Sequence, residues 1–377
     1  MINKPNLWKN IDYGLLLIVF LLFVIGLLAI TSATRVIDTF QEDGLSREVK
    51  IQSLSFLVGL MGIGVILLLD YQLVGQFYGG IYALSIVMLL LVYVPGLGVD
   101  RGNALSWIDL RVIDLQTSEI AKIGFIIALA KFIENHEEDI SSFKTLLKLL
   151  AFVSPFLFLI YLQPDFGSML VFIVIMAGML FVAKWHWRLI GIALSLGVIF
   201  TMNASKFLSK TQMDRLFAFL EPENLSIPAN YHVAASKTTI GAGMMKGRGL
   251  FEGVYHKGDW LPVQETDFIF SVWVEEMGFV GGAVVIGLYF LFLMTLMKMA
   301  YKAKDTFGSL LITGIVFMFL FQIFENLGMT MGLMPVTGIT LPFISYGGSS
   351  MITNMLLVGI ALNVYMRRTK QGMFSSK

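Results

Sequence analysis

A carboxylate stands immediately before an apolar run in the second half of the chain. Asp267 lies in the segment Trp-Leu-Pro-Val-Gln-Glu-Thr-Asp-Phe-Ile-Phe at 260–270, which closes the one long polar stretch of an otherwise apolar sequence. A carboxyl group at the mouth of a membrane span lies where water thins out, so its affinity for protons can be tuned. Such a group is suited to acid–base chemistry at the membrane surface.

Other ionisable residues fall inside or beside apolar stretches, where each costs about 2.5–3.5 kcal/mol to insert and therefore indicates function or pairing. Glu119 and Lys122 are three residues apart and share a helix face, within pairing distance. Asp165 lies in the short turn Gln-Pro-Asp-Phe-Gly-Ser, where it either caps the next helix or forms an ion pair with Lys122 that braces a cavity. Glu275 falls two turns inside a span.

Two polar stretches near Asp267 have compositions of functional interest. Residues 205–220 mix apolar and basic side chains and predict an amphipathic helix at the membrane interface. Residues 231–250 combine glycines with Lys237, Lys246 and Arg248. That composition is typical either of a phosphate-binding segment or of a flexible basic loop.

A second unusual stretch, 335–350, lies at the start of the last apolar run. It contains Pro335, Pro342, Ser345 and Gly347, which indicate irregular backbone at membrane depth. Irregular backbone is tolerated there only when it is buried in protein or lines a wet cavity. Close helix packing through small residues is the alternative explanation.

The elements that position these residues are apolar helices. The chain is 56% hydrophobic and 14% charged, so it predicts an all-α polytopic membrane protein. At about 20 residues a span, we expect about ten transmembrane helices in a single membrane domain, with helices 1–7 at about 14–203, one long loop at about 204–266, and helices 8–10 at about 268–366. The ten expected spans are 14–33, 54–70, 75–96, 119–134, 145–162, 168–184, 187–203, 268–298, 307–331 and 341–366.

The basic residues of the short connecting segments predict the orientation. Lysine and arginine are concentrated in the segments that are cytoplasmic when both termini lie inside. The long loop and Asp267 are then expected on the outer face. The net charge of +1 gives no electrostatic case for nucleic-acid binding. The absence of cysteine excludes disulfides, thiolate metal sites and a cysteine nucleophile.

Several motifs, in this order, resemble the SEDS family of bacterial shape, elongation, division and sporulation proteins. They are Asn-Ala-X-Ser-Trp-Ile at 103–108, Gln-X-Ser-Glu-X-X-Lys at 116–122, Gln-Pro-Asp-Phe-Gly-Ser at 163–168, Leu-Pro-Val-Gln-Glu-Thr-Asp-Phe-Ile-Phe at 261–270, and Pro-Val-Thr-Gly through Ser-Tyr-Gly-Gly-Ser at 335–349. The segments 261–264 and 334–338 resemble the RodA branch more than the FtsW branch.

The resemblance implies a peptidoglycan glycosyltransferase of the bacterial cytoplasmic membrane, acting in cell elongation and shape. It would polymerise lipid II into β-1,4 glycan strands, release undecaprenyl pyrophosphate and work with a class B penicillin-binding protein. Asp267 takes the family's catalytic position, and Lys122 and Asp165 take the positions of a structural pair. The resemblance also implies a divalent metal, Mg²⁺ or Mn²⁺, whose protein ligands the sequence does not reveal.

The implied reaction needs positive charge on the departing pyrophosphate. The outer-face candidates are Arg101, Arg215, Lys237, Lys246 and Arg248. Two other classes remain open: a lipid II flippase, because many spans with internal charges and broken helices also suit a transporter, and a non-catalytic scaffold for a penicillin-binding protein. Against a flippase, the sequence shows no evident inverted halves, and its functional-looking residues cluster towards one face.

Overall fold

The computed structural model describes residues 7–34, 45–101, 104–109, 114–185, 191, 210–224, 227–254, 258 and 261–368. Its first half contains α1 (Tyr13–Thr34), α2 (Arg47–Leu68), α3 (Tyr71–Gln76), α4 (Tyr78–Leu90), β1 (Gly98–Arg101), β2 (Ala104–Asp109), β3 (Asp114–Gln116) and α5 (Thr117–Asn135). The remainder contains α6 (Phe143–Leu162), α7 (Phe166–Val182), α8 (Lys210–Leu220), α9 (Pro228–Ala242), α10 (Ile269–Tyr301), α11 (Thr306–Thr330) and α12 (Gly348–Met366).

Apolar helices dominate the fold, and the expected multi-pass helical architecture is confirmed. Among the described residues, the helices α1, α2, α6, α10, α11 and α12 are long and apolar enough to cross a membrane, while α7 and the segment Tyr78–Tyr93 are shorter. α5 carries Glu119 and Lys122 and is largely buried. The count of ten spans is not established, because the expected span at 187–203 lies, except for Gly191, outside the described residues.

One small sheet, which the sequence did not predict, accompanies the helices. Residues 98–101, 104–109 and 114–116 form a three-stranded antiparallel sheet in the order β1-β2-β3, with Val99 opposite Trp107 and Trp107 opposite Gln116. Its strands are three to six residues long. Strands this short carry only a weak alternation of apolar and polar residues, and hydropathy averaged over a span does not detect them.

At each end of the helix bundle, side chains donate hydrogen bonds to backbone carbonyls of neighbouring elements. At one end, Asn10 donates to the Met366 carbonyl and Arg367 donates to the Leu69 carbonyl. At the other end, Gln264 donates to the Ala33 carbonyl at 2.9 Å, and Gln52 donates to the Ser345 carbonyl at 2.9 Å. We call the second end, which holds the C-terminus of α1 and the N-termini of α2, α10 and α12, the site end.

The long helix α10 is broken at Gly278, whose φ of 66° and ψ of −166° lie outside the helical region. Residues 243–249 pack against the break and satisfy backbone groups that it frees. Arg248 N donates to the Glu275 carbonyl at 3.0 Å, and Phe279 N donates to the Met244 carbonyl at 2.8 Å. A Cβ atom at Gly247 would lie 2.0 Å from the Glu276 carbonyl oxygen, so this approach requires glycine.

The long polar loop contains two helices. The expected amphipathic helix over 205–220 is observed from Lys210 to Leu220 as α8, and the residues before Lys210 lie outside the described part. Within the glycine-rich stretch at 231–250, residues up to Ala242 belong to α9, which begins at Pro228. The glycines at 243 and 247 are explained by close packing against α10, which is a structural role.

Candidate active site

Asp267 lies at the site end, two residues before α10 begins. The preceding residues form a series of turns in which the Asp267 N–H donates to the Val263 carbonyl at 3.2 Å. The side chain is only partly buried, whereas Phe268 and Ile269 are fully buried. The buried residues anchor the turn, so the carboxylate is held at the edge of the helix bundle.

The turn carrying Asp267 is fixed by hydrogen bonds to three other elements. Asn326 of α11 donates through Nδ2 to the Asp267 carbonyl at 3.0 Å and to the Ile339 carbonyl at 2.8 Å. The Ser345 hydroxyl donates to the Thr266 carbonyl at 2.6 Å. Gln264 donates to the Ala33 carbonyl at the end of α1. The irregular stretch at 335–350 therefore supports the backbone on which Asp267 stands.

Burial raises the pKa of the Asp267 carboxyl from 3.8 to about 6. A hydrogen bond with Thr266 and the positive charge of Arg215 act in the opposite direction, and the nearby Glu265 raises the value further. A carboxylate with this pKa is mostly ionised at neutral pH and remains basic enough to accept a proton during a reaction.

Arg215 of α8 is the cation whose positive charge lowers the pKa of Asp267. Its Nη1 donates to the Thr337 carbonyl at 3.3 Å, and the Thr337 hydroxyl donates to Glu325 Oε1 at 2.8 Å. The next residue, Gly338, faces Asp267: a Cβ atom placed there would lie 3.6 Å from Asp267 Oδ2. The chain Glu325–Thr337–Arg215 thus places a positive charge beside the carboxylate.

The other predicted cations lie at several different positions in the fold. Lys237 lies exposed on α9, on the same cleft as Arg215. Lys246 and Arg248 are exposed at the break of α10, where Arg248 Nε lies 3.8 Å from Glu275 Oε1. Arg101 ends β1, and its side chain is outside the described part of the structure.

The ion pair expected between Lys122 and Asp165 is wrong as a direct contact. Lys122 Nζ lies 2.6 Å from Glu119 Oε1, with the two side chains 1% and 7% exposed, so Lys122 is paired within α5. Asp165 instead caps α7 by accepting from Ser168 N at 3.0 Å, and it accepts from Gln116 Nε2 at 3.0 Å. The capping alternative therefore describes Asp165.

The remaining predicted residues have structural partners. Glu275 is buried, and its Oε1 accepts from Val254 N at 2.7 Å, which ties α10 to the segment that follows residues 243–249. Gly347 N donates to Gln52 Oε1 at 3.1 Å, while the Ser345 hydroxyl supports the Asp267 turn. These contacts explain Glu275, Ser345 and Gly347 as framework residues.

The expected divalent metal has no evident protein site. In the part of the chain that the structure describes, no three His, Asp or Glu side chains gather into a group that would hold an ion. A Mg²⁺ ion bound mainly through substrate phosphates needs only one or two carboxylates, so the expected metal stays a prediction.

Three residues near Asp267 were not predicted as site residues from the sequence. Asn326 and Thr337 act through contacts made only in the folded chain. His232 of α9 packs its ring against Phe268, with 6.2 Å between centroids, and burial together with Arg215 lowers its pKa. A histidine without ligand spacing gives no sequence signal, because its position depends on how α9 packs beside α10.

The fold and the site together define a multi-pass helical membrane protein with the Asp267 carboxylate at the mouth of a span, beside a cationic cleft. Residues 13–370 match the family of cell cycle proteins that comprises FtsW, RodA and SpoVE, and the chain belongs to that family. The SEDS resemblance is thereby confirmed.

Individual relatives match over nearly their whole length. The chain is 35% identical to the peptidoglycan glycosyltransferase MrdB of Escherichia coli strain K12 over 373 residues, covering 97% of each protein. It is 32% identical to the stage V sporulation protein E of Bacillus subtilis strain 168 over 357 residues, covering 94% of this chain and 96% of that protein.

Solved structures show the same fold. The rod shape determining protein RodA of Thermus thermophilus aligns with a TM-score of 0.71 at 28% identity, over 97% of this chain and 100% of that one. A chain from a structure of a peptidoglycan synthase complex, described as coordinating polymerization and crosslinking, aligns with a TM-score of 0.80 at 28% identity, over 96% of this chain and 99% of that one.

Proposed function

We propose that this protein is a peptidoglycan glycosyltransferase that polymerises lipid II in the bacterial cytoplasmic membrane. The observation that carries the proposal is the environment of Asp267, a carboxylate held at a helix mouth with a pKa of about 6 and a cation beside it. Similarity to MrdB, whose name gives this activity, supports the reaction class.

Asp267 acts as the general base. The 4-hydroxyl of the acceptor sugar is a poor nucleophile at neutral pH, so the carboxylate takes its proton as the oxygen attacks the anomeric carbon of the donor. The new C–O bond forms as the bond from that carbon to the pyrophosphate breaks, and the bonding electrons leave with the pyrophosphate. Attack opposite the leaving group converts an α-linked donor into a β-1,4-linked product.

The departing group explains why one carboxylate is enough. A pyrophosphate leaves as a stable anion and does not need the protonation that a glycosidase gives to its leaving alkoxide. It does need positive charge nearby, since negative charge develops on it in the transition state. Arg215 provides such charge close to Asp267. A divalent metal remains a proposal, and if present it would be held mainly by the substrate pyrophosphate.

Both termini are proposed to be cytoplasmic and Asp267 to lie on the outer face, because lysine and arginine are concentrated in the segments that this orientation places inside. A class B penicillin-binding protein is the proposed partner, which agrees with the similarity to a chain of a peptidoglycan synthase complex. A role in elongation and shape is supported by the similarity to RodA.

One assay separates this function from a flippase and from a scaffold. Detergent-purified protein is incubated with lipid II and a divalent metal, and the products are separated on a gel. A glycosyltransferase gives glycan ladders without any sided membrane, whereas a flippase or scaffold gives none. Absence of ladders, from protein that remains monodisperse and with a known polymerase active in the same mixture, would contradict the proposal.

A further inference from the structure

The break at Gly278 divides α10 into a short first part and a second part long enough to cross a bilayer by itself. Residues 279–301 are about 34 Å long at a rise of 1.5 Å per residue, close to the roughly 30 Å of a hydrocarbon core. The Ser32 hydroxyl, in the last turn of α1, donates to Glu276 Oε1, two residues before the break. The break therefore lies level with the end of α1, where both helices leave the hydrocarbon.

Residues 243–249 are held at this level by backbone hydrogen bonds to α10. Val280 N donates to the Met245 carbonyl at 3.3 Å, and Gly249 N donates to the Glu276 carbonyl at 3.0 Å. These bonds lie on the two sides of the break, so the segment is tied to both parts of α10. Its depth in the membrane therefore follows that of the break.

The side chains at the middle of this segment are apolar and exposed. Met244 is 80% exposed and Met245 is 62% exposed. Their backbone partners on α10, Phe279 and Val280, are exposed as well and begin the membrane-crossing part of the helix. We call Met244 and Met245 the methionine tip. The tip continues the exposed apolar surface of the α10 span at its outer limit.

Met244 has a backbone conformation that favours glycine. Its φ of 47° lies in the left-handed region, where the Cβ atom of a side chain approaches the following carbonyl oxygen. The exposed methionine side chain makes few contacts with the rest of the chain that could offset this cost. A contact with surroundings outside the chain would offset it.

Basic residues follow the methionine tip directly. Lys246 is exposed, and the Arg248 side chain is partly exposed beside Glu275. The sequence contains no aspartate or glutamate from 225 to 251, so this stretch carries only positive charge. Apolar side chains next to basic ones suit a membrane surface, because the apolar groups enter the acyl chains while the basic groups reach the phosphates.

We propose that the methionine tip inserts into the bilayer surface at the site end, with Lys246 at the level of the phospholipid phosphates. A phospholipid surface fits this region because the tip adjoins the lipid-facing part of α10 and its basic neighbours complement phosphate. The inserted tip holds the break of α10 at a fixed depth, and with it the residues 269–277 that lead from Asp267. This inference goes beyond the proposed function and does not depend on the reaction catalysed.

The depth of the tip can be measured with single thiols, because the chain contains no cysteine. Met244→Cys and Met245→Cys are labelled with bimane, and the full-length protein is placed in nanodiscs with or without phospholipids brominated near the head of the acyl chain. Both labels should lose nearly as much fluorescence to the brominated lipid as a label at Val284→Cys, an exposed position within the α10 span. A label at Glu223→Cys, in the exposed turn after α8, should lose little.

The same measurement tests the contact between Lys246 and phosphate. Adding Lys246→Glu to Met244→Cys should reduce quenching, because the carboxylate is repelled by the phosphates, whereas adding Lys246→Arg should preserve it. Equal quenching with glutamate and arginine would contradict the phosphate contact.

The single-thiol variants decide the inference even if the charge reversal disturbs folding. Quenching at Met244→Cys and Met245→Cys no greater than at Glu223→Cys, in protein that unfolds at the wild-type temperature, would overturn the insertion of the tip. The tip would then face water in the bilayer and would be available to a protein partner. Because no glycan synthesis is measured, the outcome is independent of the proposed function.

Discussion

The Asn326 side chain of α11 donates a hydrogen bond of 3.0 Å to the backbone carbonyl of Asp267. The same amide donates to the Ile339 carbonyl at 2.8 Å, so one fully buried side chain joins the turn carrying the carboxylate to the irregular segment facing it. Asn326 therefore positions Asp267 without touching the reacting atoms.

Asn326→Ala is expected to lower kcat about ten- to a hundredfold with a smaller change in KM, because a carboxylate displaced by even 1 Å loses its alignment with the acceptor. Initial rates of lipid II polymerisation at several substrate concentrations measure the two effects. Thr313→Ala is the matched control, since it removes a buried hydroxyl that bonds only within α11. Equal kcat in Asn326→Ala and wild-type protein would contradict the positioning role.

Activity should depend on pH through Asp267. A general base works only when ionised, and burial raises its pKa to about 6, so kcat/KM should fall as the pH drops through about 6. A pH–rate profile from roughly pH 5 to 8 measures this fall in kcat/KM, the acidic limb of the profile. His232→Gln should leave the limb in place, which distinguishes Asp267 from the neighbouring histidine. Activity independent of pH across this range would count against the base.

Arg215→Gln should move that limb to higher pH. The positive charge of Arg215 lowers the Asp267 pKa, and its removal leaves burial less opposed, so more alkaline solution is needed to ionise the carboxyl. The pH–rate profile of the variant measures the shift, and Lys50→Gln serves as a control for loss of a cation elsewhere. A shift to lower pH would contradict the assigned proximity.

The buried ion pair between Glu119 and Lys122 in α5 should contribute to the stability of the protein. Lys122→Met leaves Glu119 as an uncompensated buried charge and should cost about 3–5 kcal/mol. The double variant Glu119→Gln/Lys122→Met should cost less than the sum of the single changes, as expected for groups in contact. Thermal unfolding in detergent compares this cycle with the Lys122/Asp165 cycle, which should show weaker coupling. Stronger coupling of Lys122 to Asp165 would overturn the observed pairing.

The sequence predicts the helices of the bundle better than their irregular parts. The spans expected at 14–33 and 307–331 agree with α1 and α11 to within one residue at each end, because long apolar runs are a strong signal. The expected span at 75–96 is divided at Phe77, and the last span begins at Gly348 instead of residue 341. Hydropathy alone does not locate such boundaries.

The candidate site was predictable only in part. The position of Asp267 at the mouth of a span follows from the sequence. The partner of Lys122 does not, because Glu119 and Asp165 are both plausible until the packing of α5 against α7 is known. Asn326 contributes by donating to two carbonyls that lie 59 and 13 residues away from it in the sequence. Spacing along the chain carries no such information.

The variant Asp267→Asn tests the role of Asp267 as the general base most directly. The change keeps the size of the side chain and the backbone contacts to Asn326, but it removes the proton acceptor. Purified Asp267→Asn protein should unfold at nearly the wild-type temperature and should yield no glycan ladder from lipid II. A wild-type rate of polymerisation by this variant would contradict the account.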